Sequence, residues 1–474
     1  MHRRQFLSNA VRAGLLLRSD FLRSATDTPT AGQMVRVRVD PKQTFPAIPS
    51  GFIGLGYEIS SVATTGLLSA SNRTYVQLVR TLGARGVIRI GGNTSDYSQF
   101  SPDGGSVSAP KATLVNQHNL QELGTFLNAT GWDLIWGLNL GRGTEQEAVE
   151  EARAVAANVK DKLLAFEIGN EPDLFRKVHR EQGYRYEDYL TEYRRFKAAV
   201  RRQLPNVAFA GPDAAVATDW VTQFATDEGS DLRLLTHHYY RECSNPTSTF
   251  DKLLHPDPKL APQLAKLKSA YASSRVPYRI CETNSFCGGG KPGVSDTFCA
   301  ALWALDFMFT LASADAAGLN METGVNQLGF VSSYSPVGDD GHGTHVAKPT
   351  YYGMLAFAQA SRGRRVAVDC DAANVKLTAY AIIDDRKRLF VTLVNKDASV
   401  GANVSIAGLN FRRGTISRLT APSLGSKEEV TLGGSTVSPD GDWKPALVES
   451  VPIKSGECLV HVPATSAATA TFEA

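Results

Sequence analysis

Between about residue 50 and residue 360 the chain alternates short apolar runs with segments of helical periodicity. Most of the runs are apolar along much of their length, which is typical of parallel strands buried on both faces. Helical spacing separates them, and Thr144 with Glu147 predicts a capping box that opens one of the helices. Eight strand–helix repeats over roughly 300 residues predict an α/β fold, a (β/α)8 TIM barrel. The predicted strands are 52–57, 86–90, 134–138, 163–168, 207–210, 232–236, 278–281 and 318–321.

An open, doubly wound sheet is the competing α/β architecture. Neither GxGxxG nor the phosphate-binding pattern GxxxxGK followed by Ser or Thr stands at a first strand–helix junction. A nucleotide-binding version of that fold is therefore unsupported.

The texture of the sequence changes after about residue 362, where helical periodicity stops. Residues 375–383, 389–395, 403–406, 415–419 and 458–462 are rich in strand formers, and turn clusters separate them. This pattern predicts a C-terminal antiparallel β-sandwich domain of about 110 residues. The alternating stretch 35–39 is expected to add a strand to it. The predicted division is a leader at 1–33, an N-terminal strand segment at 34–49, a catalytic barrel at 50–361 and the sandwich at 362–474.

Composition excludes several classes of partner. The 474 residues are 43% hydrophobic and 20% charged, with a formal net charge of +3, so the chain has no nucleic-acid or membrane-surface footprint. After the leader, no apolar run is long enough for a membrane span. Oligomeric state stays open.

The N-terminus is basic, with a twin arginine at Arg3 and Arg4 followed by Gln5, Phe6 and Leu7. This pattern resembles a twin-arginine export signal and predicts a periplasmic or secreted bacterial protein. An ordinary basic N-terminus is the alternative.

Six cysteines are present, and none forms a CxxC pair, so zinc-ligand spacing is absent. Most are expected to be buried free thiols, although an exported protein could oxidise one pair.

Polar residues follow the carboxyl ends of the predicted strands, where TIM-barrel active sites lie. The set is rich in carboxylates, amides and hydroxyls, which suits sugars, and paired carboxylates are what glycosidic cleavage requires. It contains no GxSxG elbow, and its two adjacent histidines lack a second cluster, so no metal or cofactor is predicted. Six carboxylates remain candidates, and physical reasoning alone does not choose two of them. The set is Glu58, Asn93, Asp96, Asn139, Arg142, Asn170, Glu171, Asp213, His237, His238, Tyr239, Tyr240, Glu282, Thr283, Asn284, Glu322 and Asn326.

Five segments, in order at these strand ends, resemble glycoside hydrolase family 79, which holds heparanase and exo-acting β-glucuronidases. Residues 169–172 read Gly-Asn-Glu-Pro, like the acid/base motif of the clan A retaining glycosidases. Residues 281–290 (CETNSFCGGG) resemble the nucleophile segment of the family, and 89–96 and 236–240 agree. Residues 54–60 look closest to the bacterial and fungal β-glucuronidases. Phe286 and Cys287 depart from the heparanase pattern, which has Tyr before the glycines.

The resemblance implies a retaining mechanism with a covalent glycosyl-enzyme. Glu171 would be the acid/base and Glu282 the nucleophile, with their carboxyl groups about 5–5.5 Å apart. Tyr240 would donate a hydrogen bond to Glu282, and Asn170 would bind the sugar 2-hydroxyl.

The remaining implied site residues would bind the rest of the sugar, with no metal and no cofactor. Glu58, Asn93 and His238 belong to the predicted substrate-binding set. Backbone amides of Gly288 and Gly289 and the hydroxyl of Tyr334 would bind the uronate carboxylate, and glycines there would let the ligand approach closely.

The function expected from these residues is hydrolysis of terminal β-linked glucuronic acid from an oligosaccharide or polysaccharide. An endo-acting heparanase-like enzyme, or a clan relative acting on arabinose or xylose, shares the mechanism and stays open. A carbohydrate-binding protein on an inactive barrel is the alternative from another class, and the presence of both glutamates argues against it.

Overall fold

A computed structural model of the chain describes residues 32–105, 112–324, 332–339 and 344–474. The predicted export signal at 1–33 lies almost entirely outside the described residues, as does Asn326, and both stay predictions. Residues Gly32–Ala474 form one compact unit.

Twenty-two strands lie in the described residues. In chain order they are β1 Gln33–Ala47, β2 Gly54–Glu58, β3 Val87–Gly91, β4 Ser98–Phe100, β5 Thr113–Val115, β6 Asp133–Leu138, β7 Leu163–Ile168, β8 Phe209–Ala214, β9 Leu232–Tyr240, β10 Tyr278–Asn284, β11 Gly318–Glu322, β12 Val337–Asp339, β13 His345–Ala347, β14 Arg364–Asp371, β15 Leu377–Ile383, β16 Leu389–Asn395, β17 Ala402–Ala407, β18 Arg413–Thr420, β19 Thr431–Leu432, β20 Glu449–Val451, β21 Glu457–Val462 and β22 Ser466–Glu473.

Ten α-helices accompany them in the same part of the chain. They are α1 Ile59–Val62, α2 Arg73–Leu82, α3 Gln117–Thr130, α4 Glu145–Val159, α5 Tyr186–Gln203, α6 Thr218–Glu228, α7 Phe250–Leu254, α8 Leu260–Ser274, α9 Phe298–Ser313 and α10 Pro349–Ala360. No helix of the described residues is long and apolar enough to cross a membrane.

Eight parallel strands close into a barrel in the order β10-β11-β2-β3-β6-β7-β8-β9. All eight predicted strands are present, so the predicted TIM-barrel fold is confirmed. Strands β3, β8, β10 and β11 are buried at every residue, because helices cover the outside of the barrel and side chains fill the inside.

Helices are placed by apolar stripes and caps. In α2 the residues at helical spacing, Tyr75, Leu78, Val79 and Leu82, are all buried. The predicted capping box is confirmed at α4, where the Thr144 hydroxyl accepts from the Glu147 N–H and the Glu147 carboxylate accepts from the Thr144 N–H. The box ends the loop that follows β6 and so helps to shape the carboxyl end of the barrel.

The C-terminal part of the chain forms a separate sheet of ten strands, whose inward residues share one apolar core. Strand β1 joins this sheet as expected, pairing antiparallel with β14 and parallel with β17. Helix α10 ends at Ala360 and β14 begins at Arg364. Four strands of the sheet were not predicted from the sequence. In β14 and β22 charged or small residues interrupt the alternation, and β19 and β20 are only two and three residues long.

Candidate active site

A cavity of about 750 Å³ opens at the carboxyl end of the barrel strands. Nine of the ten predicted site residues line it: Glu58, Asn93, Glu171, His238, Tyr240, Glu282, Gly288, Gly289 and Tyr334. The tenth, Asn170, is buried next to Glu171, and its side-chain oxygen accepts a hydrogen bond from Arg89 at 2.8 Å. The fold therefore brings candidates from six barrel strands, or from the loops that follow them, to one cavity.

Glu171 follows β7 in a left-handed backbone conformation, with φ of 52°. Its N–H donates to the carbonyl of Asp213 at 3.0 Å, which ties it to the end of β8. Its carboxylate accepts from His238 Nδ1 at 3.0 Å. Burial raises the pKa of Glu171, and the nearby charge of Glu282 raises it further, although His238 partly offsets both. Glu171 is thus built to hold a proton above the usual pH range of a carboxyl group.

Glu282 lies within β10, and two donors bind its two carboxylate oxygens. Arg89 Nη1 donates to Oε2 at 2.9 Å, and the hydroxyl of Tyr240 donates to Oε1 at 3.0 Å. Both hydrogen bonds are directional, and the one from Arg89 is charge-assisted. They fix the orientation of the Glu282 carboxylate.

Arg89 is a functional residue that sequence reasoning did not single out, although it was part of a matching segment. It stands in the middle of β3, fully buried, and also donates to Glu167 at 3.2 Å and to Asp213. The surrounding carboxylates, led by Asp213, overcome the effect of burial and raise the pKa of Arg89 well above its ordinary value. An arginine inside an otherwise apolar strand was the available signal, because a buried guanidinium requires carboxylate partners.

His238 bridges two carboxyl groups, with Nδ1 on Glu171 at 3.0 Å and Nε2 on the buried Asp213 at 2.8 Å. Carboxyl oxygens face both ring nitrogens, an arrangement in which a doubly protonated imidazole donates from each. Burial opposes this charge, but the carboxylates of Asp213 and Glu282 outweigh it and raise the pKa of His238 well above its ordinary value. Asp213 keeps its charge in turn, since Arg89 and His238 overcome its burial and lower its pKa to about 2.

Glu171, His238 and Glu282 each place one nitrogen or oxygen atom within 4.8 Å of the others. Two carboxyl groups and an imidazole thus meet at one point of the cavity wall. The same atoms could bind a metal ion, but a protonated imidazole is not a metal ligand. The arrangement fits proton transfer and nucleophilic attack better than metal binding, and the expected absence of a metal stays a prediction.

Two further carboxyl groups lie beside Glu282. Glu58 accepts from the N–H of Asn93 at 3.1 Å and from the N–H of Thr94 at 2.6 Å. Burial and the charge of Glu282 raise the pKa of Glu58 to about 7. Glu322, at the end of β11, has a pKa raised well above its usual value by burial and then by Glu282 and Glu58. Both carboxyl groups beside Glu282 therefore have raised pKa values.

A turn of three glycines, Gly288, Gly289 and Gly290, follows β10, and the first two line the cavity. All three have positive φ, at 74°, 82° and 84°. A Cβ atom on Gly288 would meet nothing within 4 Å, so its backbone is open to the cavity. Tyr334 is buried nearby and stacks on Tyr240 with ring centroids 6.2 Å apart. The site residues predicted to bind a uronate thus share one side of the cavity.

A disulfide between Cys243 and Cys287 borders this turn. The remaining cysteines, Cys281, Cys299, Cys370 and Cys458, are free thiols. The expectation of mostly free thiols with one oxidised pair agrees with this pattern, but the identity of the pair was not predicted.

Residues 379–469 match the family model described as the glycosyl hydrolase family 79 C-terminal beta domain. A β-glucuronidase of Aspergillus niger is 26% identical over 379 residues, covering 72% of this chain and 68% of that protein. A β-glucuronidase of Neurospora crassa is 25% identical over 380 residues, covering 70% of this chain and 66% of that protein. The chain is a glycoside hydrolase. The two alignments span about two thirds of the length of these relatives. Both relatives are fungal, so the expected similarity to bacterial enzymes and to heparanase stays a prediction.

Solved structures agree on the fold. A 4-O-α-L-rhamnosyl-β-D-glucuronidase of Fusarium oxysporum superposes with a TM-score of 0.73 at 21% identity, covering 92% of this glycoside hydrolase and 100% of that chain. An α-L-arabinofuranosidase of Thermotoga maritima gives a TM-score of 0.70 at 15% identity, covering 93% and 100%. At these identities the likeness concerns the fold alone.

Proposed function

We propose that this glycoside hydrolase is a retaining β-glucuronidase that removes terminal β-linked glucuronic acid through a covalent glycosyl-enzyme. The observation that carries the proposal is the pair Glu171 and Glu282, whose carboxylate oxygens lie within 4.8 Å of each other across a cavity. The two curated β-glucuronidases that resemble the chain support the choice of sugar.

In the first step, Glu282 attacks the anomeric carbon and Glu171 gives its proton to the leaving oxygen. Hydrogen bonds from Arg89 and Tyr240 hold the Glu282 carboxylate aligned for this attack. The raised pKa of Glu171 keeps the required proton in place before the bond breaks. Bond formation to Glu282 removes its negative charge, so the pKa of Glu171 falls as the proton leaves.

In the second step, the ionised Glu171 takes a proton from a water molecule, which attacks the anomeric carbon and displaces Glu282. Two inversions give net retention of configuration. The His238 cation stabilises the carboxylate of Glu171 at this stage, since its Nδ1 lies 3.0 Å away.

The sugar is recognised by residues around this pair. Asn93 and Glu58 bind ring hydroxyls, His238 closes one side, and Asn170 binds the 2-hydroxyl. The N–H groups of Gly288 and Gly289 and the hydroxyl of Tyr334 bind the uronate carboxylate. Support comes from the open backbone at Gly288 and from the shared position of the turn and Tyr334 on the cavity wall.

We also infer that the enzyme acts outside the cytoplasm. The disulfide between Cys243 and Cys287 supports this inference, because structural disulfides persist in oxidising compartments. Fusion of residues 1–33 to a reporter that is active only after export tests it, with the Arg3→Lys/Arg4→Lys variant as control.

Hydrolysis of p-nitrophenyl β-glucuronide, measured beside the matching glucoside, xyloside and arabinofuranoside, tests the proposed function. A clear preference for the glucuronide with initial release of β-glucuronic acid, seen by proton NMR, is expected. Activity confined to a neutral sugar would contradict the substrate, and release of the α-anomer would contradict retention. Cleavage only of internal linkages in a glucuronate-containing polymer would support endo action instead.

A further inference from the structure

We propose that the disulfide between Cys243 and Cys287 is a positioning device that sets the specificity of the enzyme for an anionic sugar by fixing the Gly288–Gly289 turn. The inference rests on the proposed β-glucuronidase function and deepens it. It assigns a role to two cysteines that touch neither catalytic glutamate.

The disulfide joins the loops that follow two neighbouring barrel strands, β9 and β10. Beyond the strands, Arg241 N–H donates to the Ser285 carbonyl at 3.2 Å, and Cys287 N–H donates to the Glu242 carbonyl at 2.9 Å. Ser244 N–H then donates to the Cys287 carbonyl at 3.2 Å. Parallel pairing therefore continues past the strand ends up to the disulfide and stops there.

The β9 side of this connection is itself anchored. The Glu242 carboxylate binds Lys252 at 2.6 Å and accepts from the Ser248 hydroxyl at 2.8 Å. Cys243 is thus a fixed point against which Cys287 is held, and the ends of the loop between β9 and α7 are drawn together.

The glycine turn begins one residue after Cys287. Three consecutive glycines have the largest backbone freedom of any tripeptide and offer no side chain to pack. On the far side, the carbonyl of Gly289 accepts from both the N–H and the hydroxyl of Ser333, each at 2.8 Å, next to Tyr334. The turn is therefore held at two ends, covalently at Cys287 and by hydrogen bonds at Ser333.

This arrangement links the disulfide to charge recognition. Breaking the disulfide frees the first end of the turn, so that the N–H groups of Gly288 and Gly289 must be ordered when the carboxylate binds. Ordering a residue on binding opposes affinity, whereas a preorganised site avoids that cost. The proposed catalytic glutamates stay in place, since Glu282 lies within β10 and the N–H of Glu171 is bound to the Asp213 carbonyl at 3.0 Å.

The test compares the oxidised enzyme with the Cys243→Ala/Cys287→Ala variant on p-nitrophenyl β-glucuronide and on the matching glucoside. We expect KM for the glucuronide to rise about tenfold, with kcat changed less than about twofold and the glucoside parameters unchanged. Cys370→Ala, at a free and half-buried thiol of the sheet domain, is the matched control and should behave like the unaltered enzyme.

Dithiothreitol provides the second measurement, which needs no substitution. Cys243 is exposed, so reduction of the unaltered enzyme should reproduce the change in KM and leave the double variant unaffected. Unchanged KM for the glucuronide, or an equal rise for both substrates, would overturn the inference while the β-glucuronidase assignment stands. Absence of glucuronide hydrolysis by the unaltered enzyme would refute the proposed function, and with it this inference.

Discussion

Glu282 and its two donors show how a single carboxylate is kept as a nucleophile in a buried site. Arg89 donates a charge-assisted hydrogen bond to one oxygen of Glu282, and the Tyr240 hydroxyl donates to the other and fixes its orientation. Substitution by an isosteric amide removes the nucleophile and leaves the volume of the cavity unchanged.

We therefore predict that Glu282→Gln lowers kcat by at least about a thousandfold while the protein still binds glucuronate. Hydrolysis of p-nitrophenyl β-glucuronide and calorimetric titration with glucuronate measure the two parts. Glu150→Gln, an identical change at an exposed glutamate of α4, should retain most of the activity. Comparable activity in both variants would refute the assignment of the nucleophile.

His238 influences the alkaline limit of activity through the pKa of Glu171. Activity requires a protonated Glu171, so kcat/KM falls as pH rises through the raised pKa of that group. The His238 cation lowers the pKa of Glu171, and removing it must raise that pKa. His238→Gln should therefore move the alkaline limb of the pH profile to higher pH.

The adjacent His237 is the control for this prediction. Its pKa is lowered by burial to about 4, so it is neutral in the working range and His237→Gln should leave the limb in place. A limb that moves to lower pH in the His238 variant would show that the histidine does not act through Glu171.

Sequence reasoning reached Glu171 and Glu282 because both stand at strand ends within recognisable segments. It did not reach the Arg89 network, because the partners Glu167 and Asp213 come from strands far apart in the chain. Only closure of the barrel brings them together, with Arg89 and Glu167 separated by 78 positions. The sequence of β3 alone does not show which carboxylates will pair with Arg89, because they belong to other strands.

At the scale of elements, the segment after Glu171 is tied to the loop after β8. The Asp173 carboxylate accepts three N–H groups, from Ala215 at 2.8 Å, Val216 at 2.9 Å and Ala217 at 2.8 Å. This contact holds the turn that carries Glu171 against the wall of the cavity.

Loss of these bonds should affect both stability and turnover. We predict that Asp173→Ala lowers the free energy of unfolding by about 2–3 kcal/mol, since charged acceptors contribute most and three donors lose their partner. The turn after Glu171 loosens, and kcat should fall about tenfold. Urea unfolding and steady-state kinetics measure these effects. Asp219→Ala, at a largely exposed carboxylate of α6, should change neither quantity appreciably, and equal effects would contradict the anchoring role.

The eight barrel strands could be predicted from apolar runs, but their ends could not. Strand β9 continues through His237 and Tyr240, and β10 continues through Glu282 and Asn284. Hydrogen bonding between neighbouring parallel strands holds these polar residues in extended conformation, and the cavity supplies their polar partners. The apolar part of each of these two strands stops before its polar site residues. A prediction based on hydrophobicity therefore places the carboxyl ends of β9 and β10 too early.

For the whole molecule, the barrel and the sheet domain meet at α9. Asp306 of α9 binds Lys396 at 2.5 Å and accepts from the hydroxyl of Tyr380 at 2.8 Å, while Phe309 stacks on Tyr380. The sequence predicted both domains but not this interface. The charged partners are separated by 90 positions, and neither belongs to a local motif.

Removal of Asp306 should show how far the interface supports the fold. The side chain of Lys396 is only 7% exposed, so Asp306→Ala leaves a nearly buried ammonium without its partner and should lower the free energy of unfolding by about 3 kcal/mol. Activity at 25 °C should stay within about twofold, because the cavity lies at the carboxyl end of the barrel strands and Asp306 does not line it. Urea unfolding followed by tryptophan fluorescence measures the change.

Glu145→Ala is the control: it removes a carboxylate from the exposed pair with Arg195 and should lower the free energy of unfolding by at most about 1 kcal/mol. If both variants unfold at the same urea concentration, the Asp306 contact does not stabilise the interface. If the Asp306 variant instead unfolds in two transitions, the contact also makes the two domains unfold as one unit.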